Sequence, residues 1–148
     1  MQYLVDTDVL GKKDGPNGAN IRKWLASVDD NALAISVLTI FEIRKGVQKK
    51  RDAGDDALAD TLQAGLEQVK TGYADRTLPL DADLAESWGE LAGPDPKHWM
   101  DRGLITTAKT YGQILVTCNA KDMKGHGVEV INPERDPPGH WAPDGTPI

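Results

Sequence analysis

The amino-acid sequence predicts an α/β fold in which a mainly parallel, five-stranded sheet is flanked by helices. Short apolar runs that end at turn residues alternate along the chain with segments of helical periodicity, and this alternation is typical of βαβ units. The length of 148 residues is enough for one domain with a single core. We therefore predict one domain over residues 1–133 and a Pro- and Gly-rich tail over residues 134–148.

The first half of the chain alternates between strand and helix patterns. Residues 2–5 are apolar and predict a buried strand, and residues 11–20, GKKDGPNGAN, predict a loop. Apolar residues spaced i, i+3, i+4 and i+7 from Ile21 to Val28 predict an amphipathic helix. ALAISV at 32–37 predicts the second strand, and residues 38–51 predict a helix that forms a hairpin with the helix after it.

The second half continues the same alternation. TLPLD at 77–81 predicts a short third strand, and the apolar face of residues 84–92 predicts the helix that follows. A further helix is expected over 101–112, ending at a glycine. QILVT at 113–117 and VEVI at 128–131 predict the fourth and fifth strands.

Beyond Ile131 the composition changes. The segment NPERDPPGHWAPDGTPI holds five of the nine prolines, and its only large apolar residues are Trp141 and Ile148. We predict that this tail lacks regular structure and is anchored through Trp141 on the domain or on a partner.

The whole-chain composition favours a protein of a reducing compartment. The single cysteine cannot form an internal disulfide. No signal peptide is apparent and no apolar run approaches the roughly 20 residues of a membrane span. We expect a cytoplasmic protein without membrane contact.

The net charge of −6 argues at first against a nucleic-acid partner. Setting aside the four acids discussed next leaves 19 acidic and 17 basic residues, a difference of −2. Five of the eight residues in RKGVQKKR at 44–51 are basic. This run is either a track for phosphate groups or a solvated helix end whose cations complement the helix dipole.

Four carboxylates, Asp6, Glu42, Asp101 and Asp122, each occur where a predicted strand ends or a helix begins. In a parallel α/β sheet these positions share the edge at which ligands bind. Carboxylates brought together there repel one another unless a cation is present, and oxygen-only ligands suit Mg²⁺ or Mn²⁺. Such a site orients a water molecule for attack on a phosphodiester.

Each acid also has a purely structural explanation, which is the better one for any single position. Asp6 suits an Asx-turn, Thr39 and Glu42 match a capping box, and Asp101 suits a helix N-cap. Asn119 to Asp122 form another possible cap. Four unrelated caps would need no common edge, however, so their joint placement favours one site.

The sequence resembles the PIN-domain ribonucleases, and in particular the VapC-type toxins of toxin–antitoxin pairs. The resemblance extends over residues 2–133. Its elements are VDTDVL, SVLTIFEIRKGV, DRGLITTA, LVTCNAKDM and GVEVINP, in that order. It implies a PIN-like fold, metal-dependent cleavage of RNA, a homodimer, and a cognate antitoxin protein that silences the enzyme.

The resemblance also implies roles for individual residues. Asp6 and Asp101 would be primary ligands of Mg²⁺ or Mn²⁺, with Glu42 and Asp122 completing the acidic cluster directly or through water. Asp8 would contribute to the same cluster.

Thr117 and Asn119 match the T-x-N signature of the family and would support the metal site. Cys118, Ile105 and the Pro-rich tail depart from the family pattern. These departures affect substrate choice and antitoxin fit, since none of them removes an acid.

Two other functions compete. Asp6-Thr-Asp8-Val9-Leu10 fits the D-x-D-x-V opening of haloacid-dehalogenase-like phosphatases, with Asp6 as nucleophile and Asp8 as acid/base. The best candidate for the late acidic motif of that family is GDDALAD at 54–60. The other alternative is an inactive PIN-like module that only binds a partner.

Other candidate residues are weaker. His98, His126 and His140 have no metal-ligand spacing to one another, and Cys118 follows a strand with no histidine in a predictable relation. The sequence contains neither a Walker A loop nor a GxGxxG motif, so we expect no nucleotide cofactor.

Overall fold

The computed structural model describes all 148 residues and contains one six-stranded sheet between helices. The strands are β1 (Tyr3–Val5), β2 (Leu33–Ser36), β3 (Thr77–Leu78), β4 (Ile114–Val116), β5 (Val130–Asn132) and β6 (Gly139–Trp141). The helices are α1 (Thr7–Lys12), α2 (Ala19–Ala26), α3 (Val37–Asp52), α4 (Asp56–Gly72), α5 (Ala82–Ala92), α6 (Trp99–Tyr111) and α7 (Ala120–Met123). Short 3-10 turns occur at Asp30–Ala32 and Pro96–His98.

The order of the strands places β1 and β4 at the centre of the sheet. The order is β3-β2-β1-β4-β5-β6, and every pair is parallel except the antiparallel pair of β5 and β6. The chain proceeds outward from β1 to β2 and β3, and then returns to β4 on the other side of β1. Strand order therefore reverses between β1 and β4, and a crevice opens at their carboxyl ends.

The predicted strand count of five was wrong by one, because part of the tail forms β6. Ile131 of β5 pairs with His140 of β6, and the His140 side chain forms a hydrogen bond with the Glu129 carboxylate. Trp141 packs against the hydrophobic core. These side-chain contacts stabilise a strand in a segment whose proline content had predicted irregular structure. The expected anchoring through Trp141 on the domain is confirmed.

Both faces of the sheet are covered, as predicted. Successive residues of a strand point to opposite faces, so Leu4 belongs to one buried cluster and Val5 to the other. Leu4 packs in the cluster that includes Leu104 of α6, and Val5 packs in the cluster that includes Ile21 of α2. The fold is the predicted α/β arrangement.

Helices begin directly after the ends of β1 and β2. α1 begins at Thr7, one residue after Asp6, where a turn and a loop were predicted. α3 begins at Val37, with the Ser36 hydroxyl accepting a hydrogen bond from the Leu38 N–H at 3.0 Å. The predicted hairpin of α3 and α4 is confirmed, since these helices pack against one another. No helix is both long and apolar enough to span a bilayer.

Close packing fixes the position of α6. A Cβ atom at Gly103 would lie 2.6 Å from Cδ1 of Leu38 and 2.9 Å from the ring of Trp88. A side chain at this position would therefore push α6 away from α3 and α5. The helix carrying Asp101 is thus held against the helix carrying Glu42.

Candidate active site

Asp6 lies at the end of β1, buried with 6% of its surface exposed. One carboxylate oxygen accepts a hydrogen bond from the Thr7 N–H at 2.7 Å, so Asp6 is the N-cap of α1. The Asx-turn explanation was wrong in detail, because the donor is the next residue and not the one after it. The other oxygen accepts from the Thr117 hydroxyl at 2.8 Å. Thr117 follows β4, so this contact joins the two central strands at the crevice.

Asp8 lies two residues further along, in the first turn of α1. Its carboxylate accepts a hydrogen bond from the Cys118 N–H at 3.2 Å. This bond is a second link between the β1–α1 junction and the segment after β4. Asp8 therefore belongs to the same site as Asp6.

Glu42 joins the site through Thr7. The Thr7 hydroxyl donates a hydrogen bond to Oε1 of Glu42 at 3.0 Å. The capping-box explanation was wrong, because α3 begins two residues before Thr39 and its N-cap is Ser36. Glu42 is therefore free of a capping role.

Asp101 lies in the first turn of α6, whose N-cap residue is His98. The N-cap explanation for Asp101 was therefore wrong as well. The Asn119 amide donates to its carboxylate at 3.4 Å, and the Asn119 N–H donates to the Thr117 hydroxyl at 3.0 Å. A chain of hydrogen bonds thus runs from Asp6 through Thr117 and Asn119 to Asp101.

Asp122 is the most peripheral of the four predicted acids. It is exposed on α7 and its charge raises the pKa of Asp101. Asn119 is the N-cap of α7, but its side chain makes no capping hydrogen bond. The structure therefore brings Asp6, Glu42 and Asp101 into one network, with Asp122 at its margin.

The acids perturb one another electrostatically. Burial, reinforced by the charges of Asp8 and Glu42, raises the pKa of Asp6 to about 7. Burial also raises the pKa of Glu42, with added repulsion from Asp101 and Asp8. The pKa of Asp101 is raised by burial, then by Asp122 and Asp8. Like charges in a partly buried site have this effect when no cation balances them.

The donor chemistry fits a hard divalent cation. None of these acids forms an ion pair with a Lys, Arg or His side chain. Nearby cations, such as Lys45 beside Glu42, lower the pKa values only in part, since burial and the other acids leave them raised. The donors are oxygen atoms, as Mg²⁺ and Mn²⁺ prefer. The side chains do not form a closed coordination shell, because no group of three or more His, Cys, Asp or Glu is spaced to hold a metal ion.

Comparison with known proteins decides the family. The family model of the PIN domain matches residues 3–124. The chain belongs to the PIN domain family. The resemblance seen in the sequence is confirmed, and no curated protein matches the chain.

Solved structures show the same fold. FitAcB from Neisseria gonorrhoeae is 24% identical with a TM-score of 0.74, covering 89% of this chain and 98% of that one. VapBC2 from Rickettsia felis, bound to a promoter DNA fragment, is 20% identical with a TM-score of 0.57, covering 82% and 90%. A toxin-antitoxin complex from Klebsiella pneumoniae is 19% identical with a TM-score of 0.61, covering 89% and 98%.

Basic side chains flank the acids of this PIN domain on the α3 side. A cleft of about 240 Å³ is lined by Phe41, Glu42, Lys45, Lys49 and Met100, together with Gly46. Both lysines are exposed and form no ion pair.

The basic run at 44–51 does not act as a single track. Arg51 is engaged by Asp60 at 2.9 Å and by Gln63 at 2.8 Å. Lys45 and Lys49, in contrast, line the α3 cleft beside Glu42. Arg51 therefore makes a structural contact with α4, whereas Lys45 and Lys49 form a basic surface without ion pairs.

Thr7 is the site residue that sequence reasoning missed. It donates its backbone N–H to Asp6 and its hydroxyl to Glu42, and so joins two acids that are distant in sequence. The only signal in the sequence is its place between Asp6 and Asp8 in VDTDVL.

Proposed function

We propose that the chain is a Mg²⁺- or Mn²⁺-dependent endoribonuclease, the toxin of a type II toxin–antitoxin system. One observation carries this proposal. Asp6, Glu42 and Asp101 lie together at the switch point of the sheet with raised pKa values, and none of them forms an ion pair within the chain. Membership in the PIN family supports a nuclease.

We assign metal binding to Asp6, Glu42 and Asp101, and to Asp122 either directly or through a bound water. A bound divalent ion would supply the charge that neutralises these acids and activates a water molecule for attack on the phosphodiester. The chain itself supplies orientation, because Thr7, Thr117 and Asn119 donate hydrogen bonds to the carboxylates. The leaving oxygen in this proposal is the 3′ oxygen of the ribose.

An antitoxin protein and a second copy of the chain are the proposed protein partners. Toxin–antitoxin complexes are among the structures with the same fold. The surface also carries large exposed apolar side chains, with Phe41 exposed by 57% and Leu58 by 39%. A protein partner that covers these side chains would remove their apolar surface from water. We place the protein in the cytoplasm with these partners.

The structure gives no support to the phosphatase alternative. The candidate late motif at 54–60 has structural roles instead, since Asp55 caps α4 and Asp60 pairs with Arg51. The Asp8 carboxylate is held by the Cys118 N–H. The inactive-module alternative retains the same fold and is separated from the nuclease only by an activity assay.

The decisive experiment measures cleavage of a panel of structured and single-stranded RNAs, including one circular RNA, in Mg²⁺, Mn²⁺ or EDTA. We expect metal-dependent cleavage that opens the circle and is lost in Asp6→Asn. Asp14→Asn is the matched control, because Asp14 is an exposed acid paired with Lys13. It should cleave like the wild type.

Two results would contradict the proposal. Folded, Mn²⁺-loaded protein that cleaves no RNA in the panel would favour the inactive binding module. Products ending in a 2′,3′-cyclic phosphate would show attack by the ribose hydroxyl instead of water.

A further inference from the structure

A second cleft adjoins the acids on the side opposite α3. It has a volume of about 480 Å³, within the range of small-ligand sites. Its lining includes Cys118, Asn119, Lys121, Lys124, Arg135 and Trp141. Two of these residues also contact the acidic site, since the Cys118 N–H bonds to Asp8 and the Asn119 amide bonds to Asp101. A ligand in this tail cleft would therefore lie directly beside the acids.

The cations of the tail cleft have no acidic partner within the chain. Lys121, Lys124 and Arg135 are exposed, and none of them forms an ion pair or a side-chain hydrogen bond. The one acid in the lining, Glu134, lies 3.6 Å from Lys12 and is partly compensated by it. Three free positive charges thus face a cleft in a chain whose net charge is −6.

The C-terminal tail builds one wall of this cleft and positions one of its cations. The Lys124 ammonium lies 5.2 Å from the centroid of the Trp141 ring, a distance at which a cation is attracted to the ring. Trp141 is fixed by β6 pairing and by the core. Its ring lies so close to Gly139 that a Cβ there would be 2.4 Å from the ring.

We infer that the tail cleft binds a backbone phosphate of a single-stranded RNA substrate, next to the phosphate that is cleaved. This inference rests on the proposed nuclease function. Free lysine and arginine side chains neutralise phosphates, and with Lys45 and Lys49 on the other flank they mark a path across the acids. Lys124, held by Trp141, and Arg135 make the tail part of the substrate-binding surface.

Binding is measured separately from cleavage. Fluorescence anisotropy follows a labelled single-stranded RNA on Asp6→Asn protein in EDTA, so that no RNA is cut. The test variant combines Lys121→Gln, Lys124→Gln and Arg135→Gln. The matched control removes three other positive charges, by Lys13→Gln, Lys70→Gln and Lys109→Gln, none of which line the cleft.

We expect the test variant to bind RNA about tenfold more weakly than the control, with a slope of log K against log salt that is smaller by roughly 0.7 for the one lost phosphate contact. The same three changes in the otherwise wild-type enzyme should raise KM and leave kcat nearly unchanged. Single-stranded DNA of the same sequence shows whether the cleft distinguishes the sugar.

A second variant tests the role of Trp141. Trp141→Leu should weaken RNA binding by about threefold, because the Lys124 ammonium loses its aromatic partner. Trp141→Phe keeps a ring and should restore most of the affinity. Equal losses in both variants would overturn the positioning role.

The possible outcomes separate the inference from the function. RNA binding and cleavage that are both unchanged in the triple variant would overturn the phosphate site and leave the nuclease intact. If the triple variant binds RNA normally but binds a poly-glutamate peptide more weakly, the cleft would be a site for an acidic protein segment. This result would also overturn the phosphate site. A wild-type chain that neither binds nor cleaves RNA would overturn both.

Discussion

The two sides of the acidic site differ in how firmly they hold their carboxylates. On the β1 side, Asp6 is buried and accepts hydrogen bonds from Thr7 and Thr117. On the α7 side, Asp122 is exposed and belongs to a four-residue helix. A buried carboxylate that accepts two hydrogen bonds is held in one orientation, whereas an exposed carboxylate can change its orientation. The comparison indicates that the β1 side fixes the site and the α7 side modulates it.

The strongest expected effect is on the fixed side. Asp6→Asn keeps the size of the side chain but removes a ligand charge, so it should lower kcat/KM by more than the roughly 100-fold that outer partners of metal ligands cost. RNA cleavage in saturating Mn²⁺ measures this loss. Activity within tenfold of wild type would place the essential ligands elsewhere.

The next largest effect is expected at Thr117, which lies beneath Asp6 and is fully buried. Thr117→Val removes the hydroxyl that bonds to Asp6 and accepts from the Asn119 N–H. We expect a loss of roughly 10–100-fold in kcat. The hydrogen bond lowers the pKa of Asp6, so the acidic limb of the pH–rate profile should also move to higher pH.

The conservative variant separates orientation from packing at this position. Thr117→Ser keeps the hydroxyl and should restore both the rate and the pH profile. A Thr117→Val enzyme with normal rate and normal profile would show that the hydrogen bond does not position Asp6.

The third effect concerns stability without metal. The folded state raises the pKa of Asp6 from 3.8 to about 7, so it binds the proton more tightly than the unfolded chain does. Wild-type stability in EDTA should therefore fall as pH rises from about 4 to 7, relative to Asp6→Asn, by roughly 2–4 kcal/mol. Urea unfolding of both proteins at several pH values measures this difference.

Metal should reverse the trend. Mg²⁺ added at pH 8 should stabilise the wild type and leave Asp6→Asn nearly unchanged, because ligand binding stabilises only the state that binds it. A stability difference between the two proteins that is constant with pH would contradict the raised pKa of Asp6.

The sequence predicted the fixed side of the site better than its margin. Asp6 and Asp101 were recognisable because apolar strands and helix starts are local patterns, and parallel topology brings their ends to one edge. The structure places β1 and β4 at the centre of the sheet, next to that edge. That Glu42 has no capping role did not follow, because the capping-box pattern placed the N-cap at Thr39, whereas α3 begins at Val37 with Ser36 as its N-cap.

The remaining features depend on contacts between distant segments. The bond from Thr7 to Glu42 joins residues 35 positions apart, and no local pattern marks it. The strand β6 was missed because its support comes from pairing with β5 and from Glu129 and Trp141 contacts, whereas its prolines predicted irregular structure. Propensity is overruled by tertiary contacts in such segments.

The smallest effect is expected on the α7 side, at Asp122. Asp122→Asn removes an exposed charge that raises the pKa of Asp101, so the acidic limb of the pH–rate profile should move to lower pH. The loss of activity should stay below about tenfold, less than outer partners of metal ligands often cost. Asp83→Asn, at an exposed acid of α5, is the matched control and should change neither quantity.

Measurements at several salt concentrations distinguish two ways in which Asp122 could act on the site. A purely through-space effect on Asp101 is screened by salt, so the difference between Asp122→Asn and wild type should shrink as salt rises. If Asp122 is a direct metal ligand, Asp122→Asn should instead have a weaker apparent affinity for Mn²⁺ than the wild type at every salt concentration. A loss at Asp122 as large as that at Asp6, and insensitive to salt, would show that both sides of the site hold the ion equally.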